Sequence, residues 1–293
     1  MKLSVWIEAA RLRTLPASLI PVLTGGALAW NHGLFNGWIT LVTLLSATLI
    51  QIGTNFANDY FDFRRGADTK ERVGFTRASS TGAVAPQKML YMAASAFFLA
   101  FLLGILLVCH AGWLILLIGL LSITSGILYT GGPFPLAYNG LGDIFVFLFF
   151  GIIAVMGTYF VNTLQWSSEA FWASIPIGAL STMILVVNNY RDVDTDRKAN
   201  KKTLVVLLGE AFSRWHFAVL MGLAFAIPPH FFFRESYALP VLLPLLLLPW
   251  GIWLVWIFWN ETKKEHFNAI LVKTARFMTF FGVFFALGIL LSA

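Results

Sequence analysis

The sequence predicts an all-α polytopic membrane protein of nine transmembrane helices with a cytoplasmic N-terminus. Two observations predict the class and a third the orientation. Of 293 residues, 58% are hydrophobic and only 12% charged, with 28 Phe and 11 Trp; the mean hydropathy of +0.78 is far from that of a soluble domain. The apolar residues gather into runs near the roughly 20 residues that a helix needs to cross a bilayer. The basic residues gather between alternate runs.

In chain order, Glu8, Arg11 and Arg13 interrupt the first apolar stretch, so residues 1–14 read as a short amphipathic helix on the membrane surface and not as a signal peptide. Nine spans follow, over residues 15–30, 38–60, 89–109, 113–129, 141–163, 171–190, 215–233, 239–259 and 269–291. The first is short, and Pro16 and Pro21 are expected to begin or bend it. The single cysteine, Cys109, excludes an internal disulfide and reads as a packing residue. Spans two and six both end in an Asn/Asp cluster followed by basic residues. That echo suggests two four-helix halves, residues 1–132 and 133–260, plus a ninth helix, all within one domain.

Three Lys/Arg precede the first span, six lie between spans two and three, six between spans six and seven, and four between Glu261 and Arg276; of the 20 in the chain only Arg234 falls on the other side. The positive-inside rule then places these loops in the cytoplasm and the C-terminus outside. The net charge of +6 follows from this asymmetry, and no basic patch with interleaved aromatics points to nucleic acid.

The chemistry-bearing residues stand at the cytoplasmic ends of spans two and six. The clusters Asn58-Asp59-Tyr60-Phe61-Asp62 and Arg191-Asp192-Val193-Asp194-Thr195-Asp196 hold five of the chain's 14 carboxylates. Carboxylates beside apolar spans are expensive and mark function by default. Asn58 and Asp62, and likewise Asn188, Asp192 and Asp196, are four residues apart and share a helix face, while Asp194 points away. Two such faces brought together offer hard oxygen ligands suited to Mg2+. Asn55 precedes the first cluster by one turn. Lys201 and Lys202 follow the second as candidate phosphate ligands; their other reading is ordinary positive-inside charge. Arg72 and Arg77 are candidates to clamp a diphosphate or a carboxylate, in a loop where Gly74 and Gly82 suggest a moving lid. From Tyr129 to Gly142 the chain carries Gly and Pro but no Lys or Arg, the mark of a compact turn that can approach a substrate. Tyr129, Tyr138 and Asp143 are candidate contacts there for an aromatic acceptor, and a plain interhelical turn is the alternative. No P-loop, nucleophile elbow or HExxH motif occurs, and the five His show no metal-ligand spacing.

These motifs resemble the UbiA superfamily of membrane prenyltransferases over essentially the whole chain. The resemblance implies a nine-helix bundle that holds a polyprenyl diphosphate through Mg2+ and two Asp-rich motifs. In the first, N-D-x-x-D-x-x-x-D, Asn58, Asp59 and Asp62 match, Gly66 takes the last position and Asp68 follows two residues on. The second, D-x-x-x-D, is met by Asp192 and Asp196, with Lys202 at the family's spacing for the diphosphate. The implied metal ligands are Asn58, Asp59, Asp62, Asp68, Asp192 and Asp196, with Asp62, Asp192 and Asp196 carrying catalysis. The implied substrate contacts are Asn55, Asn58, Arg72, Arg77, Tyr129, Asn188, Lys201 and Lys202.

Five stretches are similar to one branch, the 1,4-dihydroxy-2-naphthoate polyprenyltransferases of menaquinone synthesis: Arg13 to Ser18, the first motif with Asp68, Arg72-Val73-Gly74, Tyr129 to Leu136, and Asn188 to Asp192. Phe75, Asn200 and Asp143 depart from that branch's usual Pro, Gly and Glu. The resemblance implies prenyl transfer to the naphthoate with loss of CO2, in a bacterial inner membrane with the site facing the cytoplasm. The rival readings are a family member with another acceptor, such as 4-hydroxybenzoate or homogentisate, and an ion-coupled carrier. A carrier places its charges near mid-membrane, which one-sided clusters do not.

Overall fold

The computed structural model describes residues 3–67, 73–75 and 77–293; Asp68 and Arg72 lie outside the described residues. Among the described residues there are twelve α-helices, with 3-10 turns and one π stretch between some of them. They are α1 Leu3–Ala9, α2 Pro16–Asn31, α3 Gly37–Arg64, α4 Pro86–Ala111, α5 Trp113–Leu128, α6 Gly142–Phe147, α7 Ala154–Thr163, α8 Ser168–Arg191, α9 Val193–Lys198, α10 Leu204–Phe233, α11 Leu248–Asn260 and α12 Phe267–Leu290.

Local chemistry sets these boundaries. Pro16 and Pro86 stand in the first turns of α2 and α4, where the missing N–H costs nothing. Asn36 caps α3 by accepting from Ile39 N at 3.1 Å. Gly112, at φ 88°, separates α4 from α5. A π-helical stretch, Leu148–Ile153, joins α6 to α7 as one 22-residue span, Gly142–Thr163. Leu239–Leu247 is a 3-10 lead into α11.

Among the described residues seven helices are long and apolar enough to cross a membrane, and an eighth counts if the pair Ser4–Thr14 and Pro16–Asn31, bent by 50°, is one span. The expected span at 113–129 falls on a 16-residue helix, shorter than those seven. The chain is thus an all-helical integral membrane protein. Pro16 begins α2 and Pro21 is absorbed within it. Cys109 does not pack: it is exposed on the outer face of α4, because the apolar run around it faces outward as well as inward.

Helix α8 is the axis of the bundle. It is 78% buried over its span, against 28–56% for the other long helices. Gly178 and Gly151 let it touch the π stretch, since a Cβ on Gly151 would lie 2.6 Å from Gly178 Cα. Its other side packs in the main core with α2, α10, α11 and α12, where Phe217, Phe258, Phe277, Phe281 and Phe285 are wholly buried. Many of the Phe of the last three spans are therefore packing residues, while Phe233 and Phe280 face outward. The remaining space lies on the α3 to α7 side.

Candidate active site

A cavity of about 680 Å³ opens between α2, α3, α5, the α6–α7 span and α8. One part is walled by apolar groups, including Ile118, Phe145, Phe149 and Ile153; another carries Asn55, Asn58, Asp59, Asp62, Arg77, Asn188, Arg191 and Lys201. It is amphiphilic by construction.

The polar part is built from two helix ends of the same design. Helix α3 ends with Gly66 at φ 71°, Gly66 N bonded to Phe63 O and Ala67 N to Asp62 O. Helix α9 ends with Asn200 at φ 53°, Asn200 N bonded to Arg197 O and Lys201 N to Asp196 O. Both are Schellman caps, in which a left-handed residue, Gly first and Asn second, closes the last turn. This explains Gly66 and Asn200 physically and puts Asp62 and Asp196 at equivalent places in the two caps. Carboxylates there oppose the helix dipole and need positive neighbours.

Those neighbours are present. Asp62 accepts from Tyr138 Oη at 2.9 Å, and Arg77 Nη2 stands 3.7 Å from its other oxygen. Lys201 Nζ lies 3.5 Å from Asp196 Oδ1. Asp192, at the break between α8 and α9, sits in the fork of Arg191, with bonds of 2.7 and 2.8 Å to its two oxygens. Asp192 and Asp196 are buried while Asp194 is exposed. The cavity wall here is formed by Asn188, Arg191 and Lys201, with Asp192 and Asp196 behind them.

The compact turn after α5 closes the site from above. Thr130 Oγ1 donates to Asn58 Oδ1 at 2.8 Å, and Arg65 binds the carbonyls of Thr130 and Gly132 at 3.1 and 2.5 Å. Tyr138 thus serves Asp62 instead of an open acceptor pocket, while Tyr129 and Asp143 line the cavity. Asn55 lines it too, but its amide nitrogen is bound to Ala10 O at 3.0 Å, tying the N-terminal segment to α3. The adjacent lysines separate: Lys201 faces the cavity, and Lys202 is exposed, its N–H bonded to Tyr138 O. Sequence reasoning missed Thr130, Arg65, Asn268 and the forked role of Arg191. Arg191 Nη1 bonds Asn268 Oδ1 across 77 positions, which no local spacing reveals.

The fold and this cavity define a membrane-embedded protein with an apolar chamber leading to a cluster of carboxylates, amides and cations at the helix ends. The chain belongs to the UbiA prenyltransferase family, whose model matches residues 18–281. It is 35% identical to the 1,4-dihydroxy-2-naphthoate octaprenyltransferase of Haemophilus influenzae, over 99% of this chain and 97% of that protein. It is 32% identical to the Bacillus subtilis protein of the same name, over 97% and 92%. The structure is similar to that of a UbiA homolog from Aeropyrum pernix K1 (TM-score 0.74, 14% identity, 96% and 98% covered). It is also similar to a UbiA homolog from Archaeoglobus fulgidus bound to DMAPP and Mg2+ (TM-score 0.69, 13% identity, 98% and 99% covered).

Among the described residues no three Asp, Glu, His or Cys side chains converge as a ready metal cage. Mg2+ dehydrates reluctantly and needs only one or two protein carboxylates beside substrate phosphates. The donor set, carboxylates of Asp62 and Asp196 with the amide oxygens beside them, is of the required hard-oxygen type.

Proposed function

We propose that the protein transfers a polyprenyl group from its diphosphate to 1,4-dihydroxy-2-naphthoate, with loss of the ring carboxylate as CO2. The observation that carries the reading is the amphiphilic cavity, with a long apolar part for a prenyl chain and a charged part for its diphosphate. The two full-length relatives named for this naphthoate support the acceptor.

The diphosphate would lie against Arg77 and Lys201, which match its oxygens as charged donors. Asp62 and Asp196 would hold Mg2+, oriented by Tyr138 and Lys201, with Asn58 fixed by Thr130; Asp192 would complete the acidic set from within the Arg191 fork. When bound, the ion neutralises charge on the leaving diphosphate. Arg77 and Lys201 stabilise the same developing charge as the allylic C–O bond breaks. The apolar wall excludes water from the cation-like allylic carbon. The electron-rich ring attacks that carbon at its carboxyl-bearing position; the C–CO2 bond then breaks, and its electron pair restores aromaticity. Tyr129, Asp143 and the surrounding cavity face supply the acceptor's side. We further read the bundle as nine crossings, with the bent N-terminal pair and α5 each counted once, and the charged end facing the cytoplasm of a bacterial inner membrane, by the positive-inside rule.

The reading is tested by giving purified protein geranylgeranyl diphosphate, Mg2+ and a panel of aromatic acids. Turnover of the naphthoate in preference to 4-hydroxybenzoate and homogentisate is expected. Turnover of 4-hydroxybenzoate alone moves the protein to the other acceptor class.

A further inference from the structure

Asp59 belongs to the first acidic motif, yet its side chain points at the backbone. It is 1% exposed. Its Oδ2 accepts from Ala78 N and its Oδ1 from Ser79 N, both at 3.0 Å. The turn it grips is closed by Val84 N to Ala78 O at 3.1 Å. Two buried amides on one carboxylate form a strong, charge-assisted clamp. The residue immediately before the clamp is Arg77, and it is Arg77 that stands 3.7 Å from Asp62, three residues along α3 from Asp59.

A second clamp lies on the other side of Arg77. Asn268, in the first turn of α12, donates from Nδ2 to Val73 O at 3.0 Å and accepts Arg191 Nη1 at 2.9 Å. Arg191 in turn holds Asp192 and reaches Asn188 Oδ1 at 2.8 Å. Gly74 presses flat on this guanidinium: a Cβ there would lie 2.5 Å from Nη2. The Phe75 ring lies under Arg13 at 4.6 Å and near Arg191 at 5.8 Å. The Arg77 segment is therefore anchored at two points: Asp59 of α3 holds the two residues that follow Arg77, and the Arg191–Asn268 pair of α8 and α12 holds Val73, four residues before it.

We propose that Asp59 and Asn268 are positioning residues that act on the diphosphate site through Arg77, and that Asp59 is not a metal ligand. The proposal rests on reading the charged part of the cavity as a diphosphate site. Asn268 lies outside every acidic motif, and its two bonds join the Arg77 segment to the second of them. Asp59 has the residue type of a ligand but spends both oxygens on the loop, whereas Asp62, one turn on, faces Tyr138 and Arg77.

Residues that act through a common group are not additive, and a double-mutant cycle measures the failure. The probe is geranylgeranyl S-thiolodiphosphate, titrated with Mg2+ onto purified, monodisperse protein. Asp59→Asn, Asn268→Asp and Arg77→Ala should each weaken binding about tenfold or more. Asn268→Asp keeps the acceptor for Arg191, removes the donor to Val73 and adds a negative charge beside that carbonyl. Adding either Asp59→Asn or Asn268→Asp to Arg77→Ala should weaken binding by less than about twofold further. The Mg2+ concentration at half-maximal binding should stay at its wild-type value in Asp59→Asn and rise in Asp62→Asn. Multiplying effects in the double variants, or an Mg2+ shift in Asp59→Asn equal to that of Asp62→Asn, overturns the proposal. Should Asp59→Asn fail to fold, the Asn268→Asp cycle alone decides, wild-type binding by that variant counting against it. Wild-type protein that binds no thiolodiphosphate overturns the reading of the cavity, and this inference with it.

Discussion

Exchanging one lysine at a time for Met at positions 201 and 202 separates what spacing suggests from what the fold does. Counting from Asp196, the family's spacing points to Lys202. The cap geometry points to Lys201, because the left-handed Asn200 turns the chain so that residue 201 returns over Asp196. The Lys201 and Asp196 side chains are 13% and 7% exposed, so the pair is largely screened from water. Removing one positioned, water-shielded donor to a charge that develops in the transition state costs about 100-fold or more in rate, so Lys201→Met should lower kcat/KM for the prenyl diphosphate about 100-fold. Lys202 is exposed, and a surface change of this kind stays within about 0.5 kcal/mol, so Lys202→Met should alter kcat/KM about twofold at most. Initial rates with varied geranylgeranyl diphosphate at saturating acceptor give both numbers. A Lys202→Met loss equal to or above that of Lys201→Met would refute the reasoning from the cap.

Asp194→Asn should lower the rate less than threefold and Asp196→Asn by orders of magnitude, since Asp194 is exposed and Asp196 buried beside Lys201; equal losses in the same rate assay count against the face assignment. A periplasm-active reporter fused after Ala293 should be active, and one inserted near Lys70 inactive. The same activity at both sites removes one of the nine crossings.

The long apolar runs were legible because a bilayer demands whole, hydrogen-bonded helices: α3, α4, α8 and α12 stand close to where those runs predict, and α10 ends where predicted but begins earlier, at Leu204. Hydropathy does not report which way a run faces, so Cys109, expected inside, is outside. Nor does it give the end of a helix: α3 continues past Tyr60 to Arg64, so that Asp62 falls in its final turn. The acidic clusters were legible as chemistry because so few carboxylates occur elsewhere near the membrane. Their internal division of labour was not. Asp59 and Asp62 are the same residue type three positions apart, yet one binds backbone amides and the other faces the cavity. Tertiary partners such as Asn268 and Thr130 come from distant segments; Asn268 carries no local motif, and the motif that holds Thr130 does not name Asn58 as its partner. At the opposite end, His32 joins Tyr159 at 2.7 Å and Glu169 at 2.8 Å, and Tyr237 donates to Glu169 at 2.6 Å. Burial and the neighbouring Glu169 carboxylate push the Tyr237 hydroxyl above its usual pKa, so it remains a donor. These four residues come from separate segments, and sequence reading saw only a lone histidine.

The fate of the acceptor's carboxyl group tests the central claim most directly. Carboxyl-labelled 1,4-dihydroxy-2-naphthoate, incubated with purified protein, geranylgeranyl diphosphate and Mg2+, should release one labelled CO2 for each prenyl group transferred, leaving an unlabelled lipophilic quinol. Prenylated product that retains the label, or no turnover of this acid beside ready turnover of 4-hydroxybenzoate, would contradict the account.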